Sequence, residues 1–157
     1  MVLASLLGLV SLCRLGGAEV PAPGVRPPDH VEVWLIDSAG PGRNPNLDLV
    51  LPQAADTVAA LRAEGRTVLV HCVEAVSRTP AVAARYAARH LGIPVQQALR
   101  DVRAVLPAAG PTLLSWPPST GSARPPLLLK RIPRPSLRRP ERSELVVVVA
   151  PGACHRD

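Results

Sequence analysis

The sequence predicts an α/β domain: a central, largely parallel sheet flanked by helices. Three features point there. Short apolar runs suited to interior strands alternate with segments whose apolar residues recur at helical spacing. The chain has 157 residues, 47% of them apolar, enough for one ordinary core. With no Phe, one Tyr and two Trp, that core must be built from Leu, Val and Ala. The same scarcity removes the aromatic stacking platforms on which single-strand nucleic-acid binders rely.

The first expected element is a buried strand over Gly8–Cys13, stopped by Arg14 and the Gly16-Gly17 turn. Read as an export signal, Met1 to Cys13 lacks a positive n-region, and it is shorter than the ~18 residues of a spanning helix. Gly16-Gly17-Ala18 does offer a small-residue cleavage site, but the strand is the favoured reading. A Pro/Gly-rich link over Pro21–Pro28 leads to a second strand over His30–Ile36. It alternates and then turns fully apolar, as a strand entering a covered sheet would. Asp37 ends it, and Ser38–Pro45 reads as a loop that Asn46 could brace.

Apolar residues then fall at helical spacing from Leu47 to Ala63, with regular helix expected from Pro52 and Gly65 as a left-handed stop. Arg66–Val70 suits an interior parallel strand. Pro80 can sit in the first turn of a helix running to about His90, capped by Gly92. A last helix starts at Pro94, with Val95, Ala98, Leu99, Val102, Val105 and Leu106 on one stripe.

The charge is uneven. Of the 18 Lys plus Arg and 12 acids, residues 1–106 hold 10 and 9, so residues 107–157 carry +5 of the net +6. Ten of the 19 prolines also fall after residue 106. We therefore divide the chain into a folded domain, 1–109, and a basic Pro/Arg-rich, mostly irregular tail, 110–157. The tail's charge suits acidic partners, and its Pro125–Pro140 stretch suits a polyproline groove. The favoured alternative is an extension without selected function, including one produced by a shifted reading frame. Leu145–Ala150 would then be an aggregation-prone strand.

Cys13, Cys72 and Cys154 are odd in number, widely spaced and in no CxxC pair, which argues against a disulfide framework or zinc ribbon and for a reducing, cytoplasmic setting. His30, His90 and His155 show no metal-ligand spacing, so solvated or capping roles are expected and no metal or other cofactor is implied.

The chemistry concentrates in His71-Cys72-Val73-Glu74-Ala75-Val76-Ser77-Arg78-Thr79. A cysteine directly after a strand, an arginine six residues on and a helix start behind them can form an anion cradle. The N–H groups of Val73, Glu74, Ala75, Val76, Ser77 and Arg78 would point inward, the helix would add its positive end, and Arg78 would hold two anion oxygens. Such surroundings favour the Cys72 thiolate as a nucleophile.

This stretch resembles the signature HCxxGxxR followed by Ser or Thr of the cysteine-dependent protein phosphatases, and the dual-specificity branch in particular. The similarity runs from about Leu9 to Leu106, with elements in the family's order. It implies a phosphatase-like fold and hydrolysis of phosphotyrosine or phosphoserine/threonine esters through phosphocysteine, in a protein or a small phosphoester. Neither nucleic acid nor membrane is implied as an obligatory partner. By the same resemblance Cys72 is the nucleophile and Arg78 the phosphate clamp. His71 orients the loop and tunes the thiol, and Thr79 offers its hydroxyl to the sulfur. Asp37 is expected as general acid, 35 residues before the nucleophile, in preference to Asp48, which suits a first-turn helix position.

The sequence departs from the family in three places. Ala75 stands where glycine is usual, a further amphipathic helix is not evident after Ala109, and the chain begins almost at a strand. The alternatives are a catalytically silent phosphate-binding module and a rhodanese-like sulfurtransferase, which would need no carboxylic acid.

Overall fold

The computed structural model describes residues 7–13, 21–38 and 42–110. The tail beyond residue 110, with Leu145–Ala150 and His155, lies outside the described residues, as do Met1–Leu6 and the Gly16-Gly17 turn.

Three parallel strands form one sheet in the order β2-β1-β3: β1 is Leu7–Ser11, β2 is His30–Glu32 and β3 is Thr67–His71. Three helices follow the expected order: α1 over Leu47–Ala63, α2 over Arg78–His90 and α3 over Val95–Val105. The order strand, strand, helix, strand, loop, helix, helix is the one the sequence predicts.

Alternation on the strands sorts the two faces. Gly8, Val10 and Leu12 on one strand and Val68, Val70 and Cys72 on the other join Leu51, Ala54, Val58 and Leu61 of α1 in a single core. Gly8 is required there: a Cβ on it would stand 3.0 Å from Leu61 Cδ1, so its absence lets α1 settle on the sheet. α2 packs beside α1, and α3 against α2. The opposite sheet face carries Leu9, Ser11, Leu69 and His71, with the 21–30 segment tied across it. That segment is anchored by Asp29, which is buried and paired with Arg26 and Arg66.

Gly65, at φ 78°, stops α1 as expected. Its N–H donates to Arg62 O and the Arg66 N–H to Leu61 O, the paired bonds of a Schellman cap. Three other expectations need correction. α1 begins at Leu47 and not at Pro52; the proline is carried inside the helix as its sixth residue, where it lacks only one ladder donor. The second strand ends at Glu32. Leu35 still donates to Leu12 O and is buried, but Trp34 is 65% and Ile36 51% exposed, so no layer of the described residues covers that face. Finally, the α3 stripe is only partly used: Ala98 is buried, while Val105 is 75% exposed. Between α2 and α3 lies an apolar hollow of about 330 Å³, bordered by Tyr86, Ile93, Val102 and Val105. Among the described residues no helix is long and apolar enough to cross a membrane.

Candidate active site

β3 delivers His71 and Cys72 to the end of the sheet, and the backbone bends at each residue from Val73 to Ser77 before α2 begins at Arg78. The bending turns on Ala75, at φ 53° the one described non-glycine residue in the left-handed region. Ala75, standing where the resembled signature has glycine, thus holds a left-handed conformation at a cost of about 1–2 kcal/mol. Cys72, Ala75, Ser77, Arg78 and Thr79 are buried, and Glu74 is exposed.

Val73, Glu74, Ala75 and Val76 donate to no backbone carbonyl of the described residues, so these amides are not spent within the loop. Carbonyls at both ends of the loop are held away. The Cys72 backbone hydrogen-bonds the His71 ring, and Val76 O accepts the Gly110 N–H at 2.9 Å. Because C=O and N–H of one peptide point opposite ways, the Val73 and Ser77 N–H groups point away from those partners. Gly110, just past the boundary drawn from composition, thus supports the loop.

Arg78 lies buried beside the cradle. Its Nη1 donates to Leu35 O at 3.2 Å, its Nη2 stands 3.5 Å from Asp37 Oδ2, and its Nε has no hydrogen-bond partner. Thr79, fully buried, also has a hydroxyl without a partner, so the bond to the Cys72 sulfur implied by the resemblance is not formed. Two buried polar groups left open at one site mark a place where a polar ligand would be favoured.

Asp37 is 44% exposed and stands over the arginine, so the expected acid does come to the site. Asp48 sits exposed in the first turn of α1, as expected. The brace of the Asp37 loop is Asn44 rather than Asn46. Asn44 Oδ1 accepts the Ile36 N–H at 3.0 Å, and Asn44 Nδ2 donates to Ile36 O at 2.9 Å and to Ser38 O at 3.3 Å. Asn46 only caps α1, through its carbonyl. In a Gly/Pro/Asn-rich loop neither asparagine stands out by sequence, since side-chain to backbone pairing depends on how the loop folds back.

Burial pushes the His71 imidazole below its ordinary value, the nearby His30 adds to this, and the bond to the Cys72 backbone opposes it. His71 receives a hydrogen bond partner in Ser11, whose Oγ lies 2.6 Å from Nε2, and Ser11 in turn lies 2.8 Å from His30 Nε2. The expectation of a solvated or capping His30 is therefore corrected: it is half-buried behind the site. His90 pairs with Asp56 at 2.8 Å, far from the loop in sequence and on α2's last turn. The described residues hold no group of three or more side chains suited to a metal ion.

No family model and no curated protein matches the sequence. Solved structures do. Human DUSP28 is similar over 69% of this chain and 70% of its own, at 29% identity and a TM-score of 0.53. A point variant of human DUSP28 matches at 30% identity over 69% of this chain and 68% of its own, with a TM-score of 0.51. The PTP-2 phosphatase of Cydia pomonella matches at 29% identity over 66% and 63%, with a TM-score of 0.52. With the fold, the loop and these similarities together, the chain belongs to the dual-specificity phosphatase family of cysteine-dependent protein phosphatases.

Proposed function

We propose that this chain hydrolyses phosphoric monoesters, on phosphorylated tyrosine, serine or threonine side chains, with Cys72 as nucleophile. What supports the reading is the bent loop after β3. Ala75 is left-handed, the Val73–Val76 amides are uncommitted among described carbonyls, and buried Arg78 and Thr79 each hold a polar atom open beside Cys72.

The phosphate dianion enters the cradle against the loop amides and takes the Arg78 guanidinium from Leu35 O and Asp37. The Cys72 thiolate attacks phosphorus in line with the ester oxygen. A P–S bond forms, the P–O bond to the leaving group breaks, and Asp37 gives its proton to that oxygen. Water then attacks phosphocysteine and yields its proton to the Asp37 carboxylate, the P–S bond breaks, and phosphate leaves. Amides and Arg78 hold the equatorial oxygens through both steps, where charge is greatest. The Thr79 hydroxyl, now without a partner, is available to the sulfur as it departs. A free thiol is needed, which fits a reducing, cytoplasmic setting.

The test compares wild type, Cys72→Ser and Asp37→Asn on an aryl phosphate. The reading predicts no turnover for the first variant and slow turnover with phosphate inhibition retained for the second. An unchanged rate in Asp37→Asn removes Asp37 from the mechanism. Turnover in Cys72→Ser removes the phosphocysteine route.

A further inference from the structure

Behind the cradle, on the sheet face away from α1, three polar side chains of the three strands line up: His30 at the start of β2, Ser11 at the end of β1 and His71 at the end of β3. The Ala22 N–H donates to His30 Nδ1 at 3.0 Å, His30 Nε2 lies 2.8 Å from Ser11 Oγ, and Ser11 Oγ lies 2.6 Å from His71 Nε2. The file ends at the backbone of Cys72.

Only one arrangement of protons satisfies every member. A backbone N–H is always a donor, so His30 Nδ1 accepts and His30 carries its proton on Nε2. That proton goes to Ser11 Oγ. Ser11 is only 4% exposed, so its own hydroxyl proton needs an acceptor within the protein, and His71 Nε2 is the one in reach. His71 then bears its proton on Nδ1, the nitrogen left to donate to the Cys72 carbonyl. Its bond to the Cys72 backbone favours the protonated ring, as a bond to a carbonyl does.

We propose that Ser11 and His30 are positioning residues for the reaction: with His71 they form a directional hydrogen-bond file that fixes the His71 tautomer, tethers the Cys72 carbonyl and so aims the Val73 N–H into the cradle. The proposal rests on Cys72 being the nucleophile for its kinetic consequence, but not for its structural one. Without Ser11 the Nε2–H tautomer becomes equally accessible, and in that form Nδ1 has no proton to give the carbonyl. The first peptide of the loop can then rotate, and the sulfur loses an amide donor beside it. The burial that keeps His71 neutral adds to the effect, since a doubly protonated ring would leave the Ser11 proton unmatched.

The experiment uses four variants of the full chain: Ser11→Ala and Ser11→Thr, which remove and keep the hydroxyl, and His30→Phe and His30→Gln, which remove and keep a donor toward Ser11. Three measurements are made at neutral pH: the imidazole nitrogen shifts of His71, the rate at which iodoacetamide alkylates Cys72, and kcat and KM on an aryl phosphate. The wild type should show the Nδ1–H tautomer. Ser11→Ala and His30→Phe should mix the tautomers, slow alkylation and lower kcat roughly tenfold with KM within about twofold, because the reacting sulfur is misaimed rather than the substrate lost. Ser11→Thr and His30→Gln should recover most of each loss. If the shifts and alkylation rates of Ser11→Ala and His30→Phe equal those of the wild type, the proposal is overturned. Should either of these variants fail to fold, the wild-type shifts decide alone: an Nε2–H or cationic His71 overturns it. A wild type without turnover removes the phosphatase reading, while the shifts and alkylation rates still decide the file.

Discussion

Ala75 gives a direct energetic test of the loop. It is buried, 4% exposed, and left-handed at φ 53°. Ala75→Gly removes a buried methyl, worth about 0.8 kcal/mol, and adds freedom to the unfolded chain, worth about 0.5–1 kcal/mol. Against these stands relief of the left-handed alanine, about 1–2 kcal/mol. The contributions cancel to within about 1 kcal/mol. Ala81, fully buried inside α2, is the control. There the same substitution loses its methyl and incurs the helix penalty of glycine with nothing to offset them, about 2 kcal/mol in all. Urea denaturation of the two variants beside wild type should show Ala81→Gly clearly less stable and Ala75→Gly close to wild type, with equal slopes. Equal losses in both would refute the left-handed alanine and with it the curl of the loop. Ala75→Val extends the test: a β-branched residue resists positive φ, so that variant should lose aryl phosphatase activity.

Further predictions follow from the site and its supports. Asn44→Ala removes the clamp on Ile36 and Ser38 and should lower kcat several-fold through a misplaced Asp37, with phosphate inhibition unchanged; wild-type kcat would show the clamp to be idle. Asp37→Asn should lower kcat roughly a hundredfold or more, while Asp48→Asn should leave kcat alone; equal effects would refute the assignment of the acid. His71 is held below its ordinary value of 6.5, so the unfolded chain binds a proton there before the native one does. Its contribution to stability is present above pH 6.5 and is lost as the pH falls from there through the lowered native value. Urea midpoints should therefore decline below pH 6.5 more steeply in wild type than in His71→Asn, and parallel curves would contradict the burial. Asp29, held low by its bond to Arg26, contributes stability above its ordinary 3.8 that is lost as the pH falls below it. Asp29→Asn should accordingly melt lower than wild type at pH 7 and converge with it in acid, as circular dichroism can follow.

How much of this could be read beforehand depended on how local each cause is. The helix stop at Gly65 is readable because a left-handed cap needs only the residues around it. The cradle was readable for a similar reason: Cys72 through Thr79 is one continuous stretch, and its chemistry depends on spacing within it. Ala75 stands where the signature takes glycine, the residue that best tolerates positive φ, and the structure holds it at φ 53°. By contrast, Asn44, Ser11 and His30 act through partners 8, 60 and 19 residues away, brought together only by the fold. An isolated histidine in a strand gives no sign that a serine of the neighbouring strand will stand 2.8 Å from it. The apolar run from Val33 to Ile36 misled because its residues alternate in burial while its letters do not: Leu35 is buried and Trp34 and Ile36 are exposed. Pro52 misled because the helix tolerates the loss of one donor when Leu51, Ala54, Ala55 and Val58 are all buried on the core side.

The claim under all of this is that the loop from Cys72 to Arg78 holds a phosphoryl group against the cysteine sulfur. Mixing Asp37→Asn with an aryl phosphate, quenching in acid within a turnover and mapping the modified peptide by mass spectrometry tests it most directly. The account predicts a phosphoryl group on Cys72, absent from Cys72→Ser. Turnover with no covalent phosphoryl group, or one carried by another residue, would contradict it.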